Sequence, residues 1–154
     1  MILKRLIVKS CSTQSSFAPL FMRLALGIMI LPHGLQKVFG LWGGHGFANT
    51  LHFFTEQMGI PWILGVAAIL AEFLGGIGLI AGLFTRFAAF NVGMVMLVAA
   101  ITVHLKYGFF MNWFGTKSGE GIEFFILAIG LALGLIITGG GRFAADSLIS
   151  RKYS

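Results

Sequence analysis

Charged side chains are scarce in this chain. Asp, Glu, Lys and Arg make up 10% of its 154 residues, whereas hydrophobic residues make up 57%. A soluble domain of average composition carries about 25% charged residues. The composition therefore predicts an integral membrane protein with one compact domain, and it leaves no room for a separate soluble domain.

Cysteine is almost absent as well. The single Cys11 excludes an internal disulfide, a CxxC redox pair and a cysteine metal cage. The net charge is +6, but the basic residues form no continuous run, so they indicate membrane topology and not a nucleic-acid partner. No His or Glu spacing resembles HExxH or another tight ligand motif, and we therefore expect no metal site.

Long apolar runs are what the chain has instead. Four runs approach or exceed the roughly 20 residues that a helix needs to cross a bilayer, and tilt can absorb the difference. They are residues 17–39, 61–84, 87–105 and 122–138. The sequence therefore predicts an all-α membrane protein, a four-transmembrane-helix bundle at 17–142 with tails at 1–16 and 143–154. Thr85 and Arg86 alone would link the second and third spans.

The segment after the first span has an amphipathic pattern. Its apolar residues repeat at helical spacing: Phe47, Leu51, Phe54 and Met58. This pattern predicts a short interfacial helix at the outer surface, between the first two spans. His52 and Glu56 lie four residues apart on another face of that helix, where their side chains can pair.

The basic residues predict the orientation. With four spans, both termini lie on one side of the membrane. Eight basic residues fall on that side: Lys4, Arg5, Lys9, Arg23, Arg86, Arg142, Arg151 and Lys152. Three fall on the other: Lys37, Lys106 and Lys117. Since cytoplasmic loops are enriched in Lys and Arg, we expect both termini in the cytoplasm, with Arg23 and Arg86 as anchors at the inner interface.

Glu72 is the most informative residue, because it lies near the middle of the second apolar run. A carboxylate at that depth is costly and normally has a partner or a task. His33 and Lys37 lie four residues apart on one face of the first span. His104 lies near the outer end of the third span, and Glu123 near the outer start of the fourth. These groups predict a polar pocket that opens outward, with Glu72 at its floor.

Each of these residues has a simpler interpretation. Lys37 can extend to the interface, and His104 can be merely interfacial. Glu123 can stabilise the start of its helix through the helix dipole. Glu72 can be a structural partner of Lys37 or His33. The aromatic link at 106–121, which includes Trp113, can form part of an interfacial belt instead of a ligand pocket.

At these positions the chain resembles the DoxX family of small membrane proteins, over nearly everything from Arg23 to Asp146. The first-span signature is matched by Arg23, Gly27, His33, Gly34, Lys37 and Gly40. The second is matched by Glu72, Gly75, Gly76, Leu79, Gly82, Thr85 and Arg86. The third link and fourth span are matched by His104, Gly108, Phe109, Phe110, Gly121 and Glu123. The tail departs from the family, since Ala144 and Ala145 stand where Ser-Leu is usual.

The resemblance implies a four-helix bundle in a prokaryotic plasma membrane. It also implies a role in membrane redox systems, such as the small subunit of a thiosulfate:quinone oxidoreductase, or in resistance to quinones and thiol stress. In that role Glu72 and His33 would exchange protons with a quinone or small sulfur compound. Lys37 would hold an anionic head, His104 and Glu123 would lie at the pocket mouth, and Trp113 would stack on a ring.

The sequence is compatible with two classes of function. In the first, the protein is a subunit or accessory of a redox system, catalytic or not. It then has no covalently bound cofactor, a quinone as the candidate ligand, and electrons from a soluble oxidoreductase partner. In the second, it is a non-enzymatic small-solute carrier or a membrane assembly scaffold. Both are compatible with a homo-oligomer.

Overall fold

The computed structural model describes Cys11 and residues 16–153. Most of the predicted N-terminal tail, including Lys4, Arg5 and Lys9, lies outside these residues. Within them every regular element is helical. The elements are α1 (Ala18–Phe39), α2 (Gly46–His52), α3 (Trp62–Ala81), α4 (Thr85–Ala99), α5 (Glu123–Thr138) and α6 (Ala145–Tyr153).

Three helical segments in the described part of the chain are long and apolar enough to cross a membrane. They are Ala18–Phe39, Trp62–Ala81 and Thr85–Tyr107, the last being α4 with its irregular extension. The fourth predicted span corresponds to α5, an apolar helix of 16 residues. The predicted membrane character and all-α class are therefore confirmed.

The four longest helices pack side by side around one core. α1 contacts α3 and α5, and α4 contacts the same two helices from the other side. Leu26, Ile30, Val92 and Leu135 are fully buried in this core. Small residues bring α1 and α3 close together, because a Cβ at Gly34 would lie 2.6 Å from the backbone of Phe73. Side chains of ordinary size there would force the two helices apart.

The turn between α3 and α4 differs from the prediction. It is formed by residues 82–84, and Thr85 is already the first residue of α4. The reason is a long-range contact: the Asp146 carboxylate accepts hydrogen bonds from the backbone N–H groups of Phe84 at 2.6 Å and Thr85 at 2.8 Å. These groups would otherwise be unsatisfied at the start of a helix, and a carboxylate there also suits the helix dipole.

Two arginines donate hydrogen bonds to backbone carbonyls at the C-terminal ends of helices. Both lie at the same end of the bundle, which we call the Arg23 end. Arg23 is 2% exposed and donates to carbonyls at the end of α3 and in the segment after α5: Leu79, Ile80, Gly140, Arg142 and Phe143. Arg86 donates to the carbonyls of Ile136 and Ile137 near the end of α5. Both arginines therefore hold helix ends in place, and the predicted anchoring at the inner interface stays a prediction.

The C-terminal segment that the sequence assigned to a tail includes α6. Its Asp146 is 1% exposed and joins α6 to the turn before α4. Cys11 is fully buried beside it, and burial raises the pKa of the Cys11 thiol, to which the charge and hydrogen bonding of Asp146 add. The Arg23 end is thus closed by buried polar contacts.

The segment between α1 and α3 contains a short helix, α2, whose predicted position at the membrane interface stays a prediction. α2 runs directly into a π turn at Phe53–Gln57, and Leu51 and Phe54 pack against Gly65 of α3. His52 and Glu56 are exposed, and no ion pair joins them within the residues that the structure describes. The π turn explains this, since it changes the angular offset between the two side chains.

Candidate functional site

A cavity of about 400 Å³ lies between the helices at the end of the bundle opposite Arg23, which we call the cavity end. Its volume is within the range of small-molecule sites, about 300–1,000 Å³. Four elements and the link before α5 contribute to its walls. The lining residues are Met29, Ile30, His33, Lys37, Glu72, Met96, Ala99, His104, Met111, Glu120, Phe124 and Phe125.

An ion pair joins two of the predicted site residues across α1 and α3. The Lys37 Nζ atom lies 2.6 Å from the Glu72 Oε2 atom. The Glu72 side chain is 6% exposed and that of Lys37 is 24% exposed. A carboxylate so deeply buried needs an opposite charge, because desolvation disfavours the ionised form. Gly34 lies three residues before Lys37 on α1 and has no side chain, so α1 lies directly against the α3 backbone at Phe73. This close approach of the two helices allows the ion pair to form.

His104 enters the cavity from the end of α4, where the helix widens into a π turn at Ala100–His104. Its Nδ1 atom lies 3.0 Å from the backbone oxygen of Glu120. A carbonyl oxygen only accepts, so Nδ1 carries the proton and Nε2 is the acceptor nitrogen of the neutral ring. The ring also packs on Phe125, with 4.3 Å between centroids. His104 therefore has a fixed orientation and tautomer.

His33 also lines the cavity, one turn before Lys37 on α1. It is exposed, and no hydrogen bond to its imidazole ring occurs among the residues that the structure describes. The structure thus brings four predicted residues to one cavity: His33, Lys37, Glu72 and His104. Of these four, Lys37 and Glu72 form an ion pair, and the imidazole of His104 has a fixed orientation.

Glu123 and Trp113 lie outside the cavity lining. The Glu123 Oε1 atom accepts hydrogen bonds from the Met111 N–H at 2.9 Å and from the Trp113 indole Nε1 at 3.1 Å. Trp113 is 78% exposed, and Phe109 and Phe110 are also exposed. In this arrangement Glu123 and Trp113 hold the link at 108–121 in place, and that link supplies one wall of the cavity.

Glu120 is a cavity residue that the sequence did not point to. Its carbonyl orients His104, and its Oε2 atom accepts the Asn112 N–H at 2.6 Å. Asn112 in turn bonds both backbone groups of Lys117, which closes the link on itself. The only sequence signal for Glu120 is that it is an acid next to the start of a predicted span. The cavity methionines gave no signal, because Met is an ordinary core residue.

These features define a class of protein: an all-helical membrane protein with a ligand-sized cavity between its helices, whose mainly apolar walls carry a few charged and polar side chains. The DoxX family model matches residues 18–105, which is more than half of the chain, and the chain belongs to the DoxX family. The match covers α1 through most of the α4 extension, which ends at Tyr107. It therefore includes Lys37, Glu72 and His104, but not the link that carries Glu120.

Two relatives match over most of their length. A Bacillus subtilis (strain 168) protein named "Putative oxidoreductase CatD" is 29% identical over 130 residues, which are 84% of this chain and 85% of the relative. An Escherichia coli (strain K12) protein named "Inner membrane protein YqjF" is 27% identical over 137 residues, 85% of this chain and 91% of the relative. No solved structure matches the chain.

Proposed function

We propose that this protein is a plasma-membrane component of a redox system, and that its cavity binds the ring of a quinone. The observation that carries the proposal is the meeting of the Lys37–Glu72 pair and the oriented His104 at one apolar-walled cavity. The name of the Bacillus subtilis relative supports an oxidoreductase role, and that of the Escherichia coli relative supports the prokaryotic inner membrane.

The charges at the cavity favour a neutral quinone over an anionic sulfur compound. Lys37 is compensated by Glu72, and Glu120 adds a second carboxylate to the lining. One cation therefore faces two carboxylates, and an anion such as thiosulfate would be repelled. This changes the role predicted for Lys37: it holds Glu72 in place and is not open to an anionic head.

In this proposal the chain moves protons and a partner supplies electrons. Reduction of a quinone to a hydroquinone takes up two electrons and two protons. His104 Nε2 accepts one of the two hydroquinone O–H protons in one direction and returns it in the other, and His33 exchanges the second proton in the same way. Glu72 stays in its ion pair with Lys37. A soluble oxidoreductase is the electron donor or acceptor.

The membrane arrangement belongs to the same proposal. α5 is about 24 Å long, so it crosses a bilayer core of about 30 Å with local thinning or with help from the residues that flank it. Four spans then place both termini in the cytoplasm, with the Arg23 end inward. The cavity end and α2, as an interfacial helix, face outward.

Binding of added quinone tests the ligand class. We expect 2,3-dimethoxy-5-methyl-1,4-benzoquinone to bind the purified protein in detergent, and thiosulfate not to compete. His104→Gln should weaken binding about tenfold, because the loss of one hydrogen bond of about 1.4 kcal/mol corresponds to that factor. His52→Gln, at an exposed histidine outside the cavity, should bind like wild type.

Other results would replace the proposal. Competition by thiosulfate would make the cavity an anion site. Unchanged quinone affinity in His104→Gln would remove the imidazole from the site. Uptake of a small solute into vesicles that contain this protein and no redox partner would show that the protein is a small-solute carrier.

A further inference from the structure

The acidic residues are distributed unequally between the two ends of the molecule. The chain has five of them: Glu56, Glu72, Glu120, Glu123 and Asp146. The four glutamates lie in the cavity or in segments at the cavity end. Asp146 is alone at the Arg23 end, is 1% exposed, and uses both carboxylate oxygens to accept backbone N–H groups. The surface of the described residues at the Arg23 end therefore presents no carboxylate.

The same end has a groove of about 760 Å³ between the turn after α5 and helix α6. Two arginines, Arg142 and Arg151, line it together with hydroxyl and apolar side chains. Both arginines are exposed, whereas Arg23 and Arg86 are occupied by helix carbonyls. The cations that this groove offers to a ligand are thus guanidinium groups, which recognise phosphate oxygens through paired hydrogen bonds.

Arg142 is held in place by aromatic rings. Its guanidinium carbon lies 4.5 Å from the ring centroid of Phe17 and 5.7 Å from that of Phe143. Phe17 is 48% exposed and Phe143 is 73% exposed, and Leu148 beside them is 68% exposed. Packing on two rings reduces the rotamer freedom that Arg142 would lose on binding a ligand.

The apolar side chains indicate the source of the phosphate. The exposed rings of Phe17 and Phe143 lie at the same end of the molecule as exposed rings at the ends of two spans, Phe21 of α1 and Phe87 of α4. A soluble anion would leave these rings in water. A phospholipid places its phosphate at the arginines and its glycerol and acyl groups against the rings, which is the usual depth of aromatic and arginine side chains in a bilayer.

We propose that the groove at the Arg23 end binds the headgroup phosphate of an anionic phospholipid. Arg142 and Arg151 contact the phosphate, and Phe17, Phe143 and Leu148 contact the apolar part of the lipid. Because the described residues at this end expose no carboxylate, we expect the site to prefer lipids with net negative charge over zwitterionic lipids. The proposal does not depend on what the cavity at the other end binds.

Thermal unfolding of the intact protein in a neutral detergent tests the site, because a ligand that binds the folded state raises the unfolding temperature. Phosphatidylglycerol should raise it for wild type, whereas phosphatidylcholine and inorganic phosphate should not. The double variant Arg142→Gln/Arg151→Gln should lose at least half of the shift. The double variant Lys106→Gln/Lys117→Gln removes the same charge at the cavity end and should keep the full shift.

The single variant Arg151→Gln covers the case in which the double variant does not fold. Arg151 lies near the end of α6 and is exposed, so its replacement should leave the fold intact and reduce the shift in part. Equal shifts in both double variants would overturn the proposal in favour of diffuse attraction. An equal shift with inorganic phosphate would show a soluble-anion site, and the absence of any shift with phosphatidylglycerol would show no site.

Discussion

The Glu72 carboxylate is compensated by Lys37 at 2.6 Å, deep between α1 and α3. Sequence reasoning could place Glu72 at the cavity because a buried charge in an apolar run needs a partner. It could not choose between Lys37 and His33, which lie on the same helix face. The choice depends on how closely α1 approaches α3, and that distance is set by the glycines.

Glu72→Gln tests whether the pair stabilises the fold. The substitution leaves Lys37 partly buried without its counter-ion, and such a loss costs about 3–5 kcal/mol in fully buried pairs. Because Lys37 keeps some access to water, we expect a decrease of about 2 kcal/mol in the free energy of unfolding. Glu56→Gln, at an exposed glutamate, is the matched control. Equal stability of the two variants in denaturant titrations in detergent would contradict the account.

At the scale of elements, the helix positions were predictable and their irregularities were not. Apolar run length placed α1, α3, α4 and α5 close to their observed bounds. The start of α4 was misplaced because Asp146 caps it from 61 residues further along the chain. The π turn that ends at His104 also has no local sequence signature, although such turns are frequent at functional sites.

The close approach of helices α1 and α3 can be tested by adding one methyl group between them. Gly34→Ala places a Cβ within 2.6 Å of the Phe73 backbone, which cannot move aside as a side chain can. We expect a loss of about 1–3 kcal/mol of stability, as for other overpacked positions. Gly130→Ala is the control, since a Cβ there meets no atom within 4 Å. It should be neutral or stabilising by up to about 1 kcal/mol. Similar unfolding curves for the two variants would show that α1 and α3 are further apart.

At the scale of the whole molecule, composition and the four apolar runs were enough for the membrane class. The family resemblance, which the match at residues 18–105 confirms, added the expectation of a redox role. The wall formed by the link at 108–121 was not predictable. It depends on pairs such as the Glu123 N–H with the Phe109 carbonyl at 2.9 Å, and on side chains that only the folded link brings together.

Membrane topology distinguishes four spans from three. If α5 crosses the bilayer, a reporter fused after residue 154 lies in the cytoplasm, and one inserted near residue 115 lies outside. If α5 does not cross, both reporters lie on the same side. We expect the four-span result, because basic residues dominate the side that holds the termini. A C-terminal reporter outside the cell would contradict it.

The quinone content of the purified protein shows directly whether the cavity binds a quinone. The protein is extracted with a mild detergent, purified, and its bound quinone is released into organic solvent and quantified per chain. We predict a content approaching one quinone per chain in wild type and in His52→Gln, and a clear depletion in His104→Gln at equal yield of folded protein. Wild-type protein free of quinone, or equal quinone content in the two histidine variants, would contradict a quinone site in the cavity that Glu72 and His104 line.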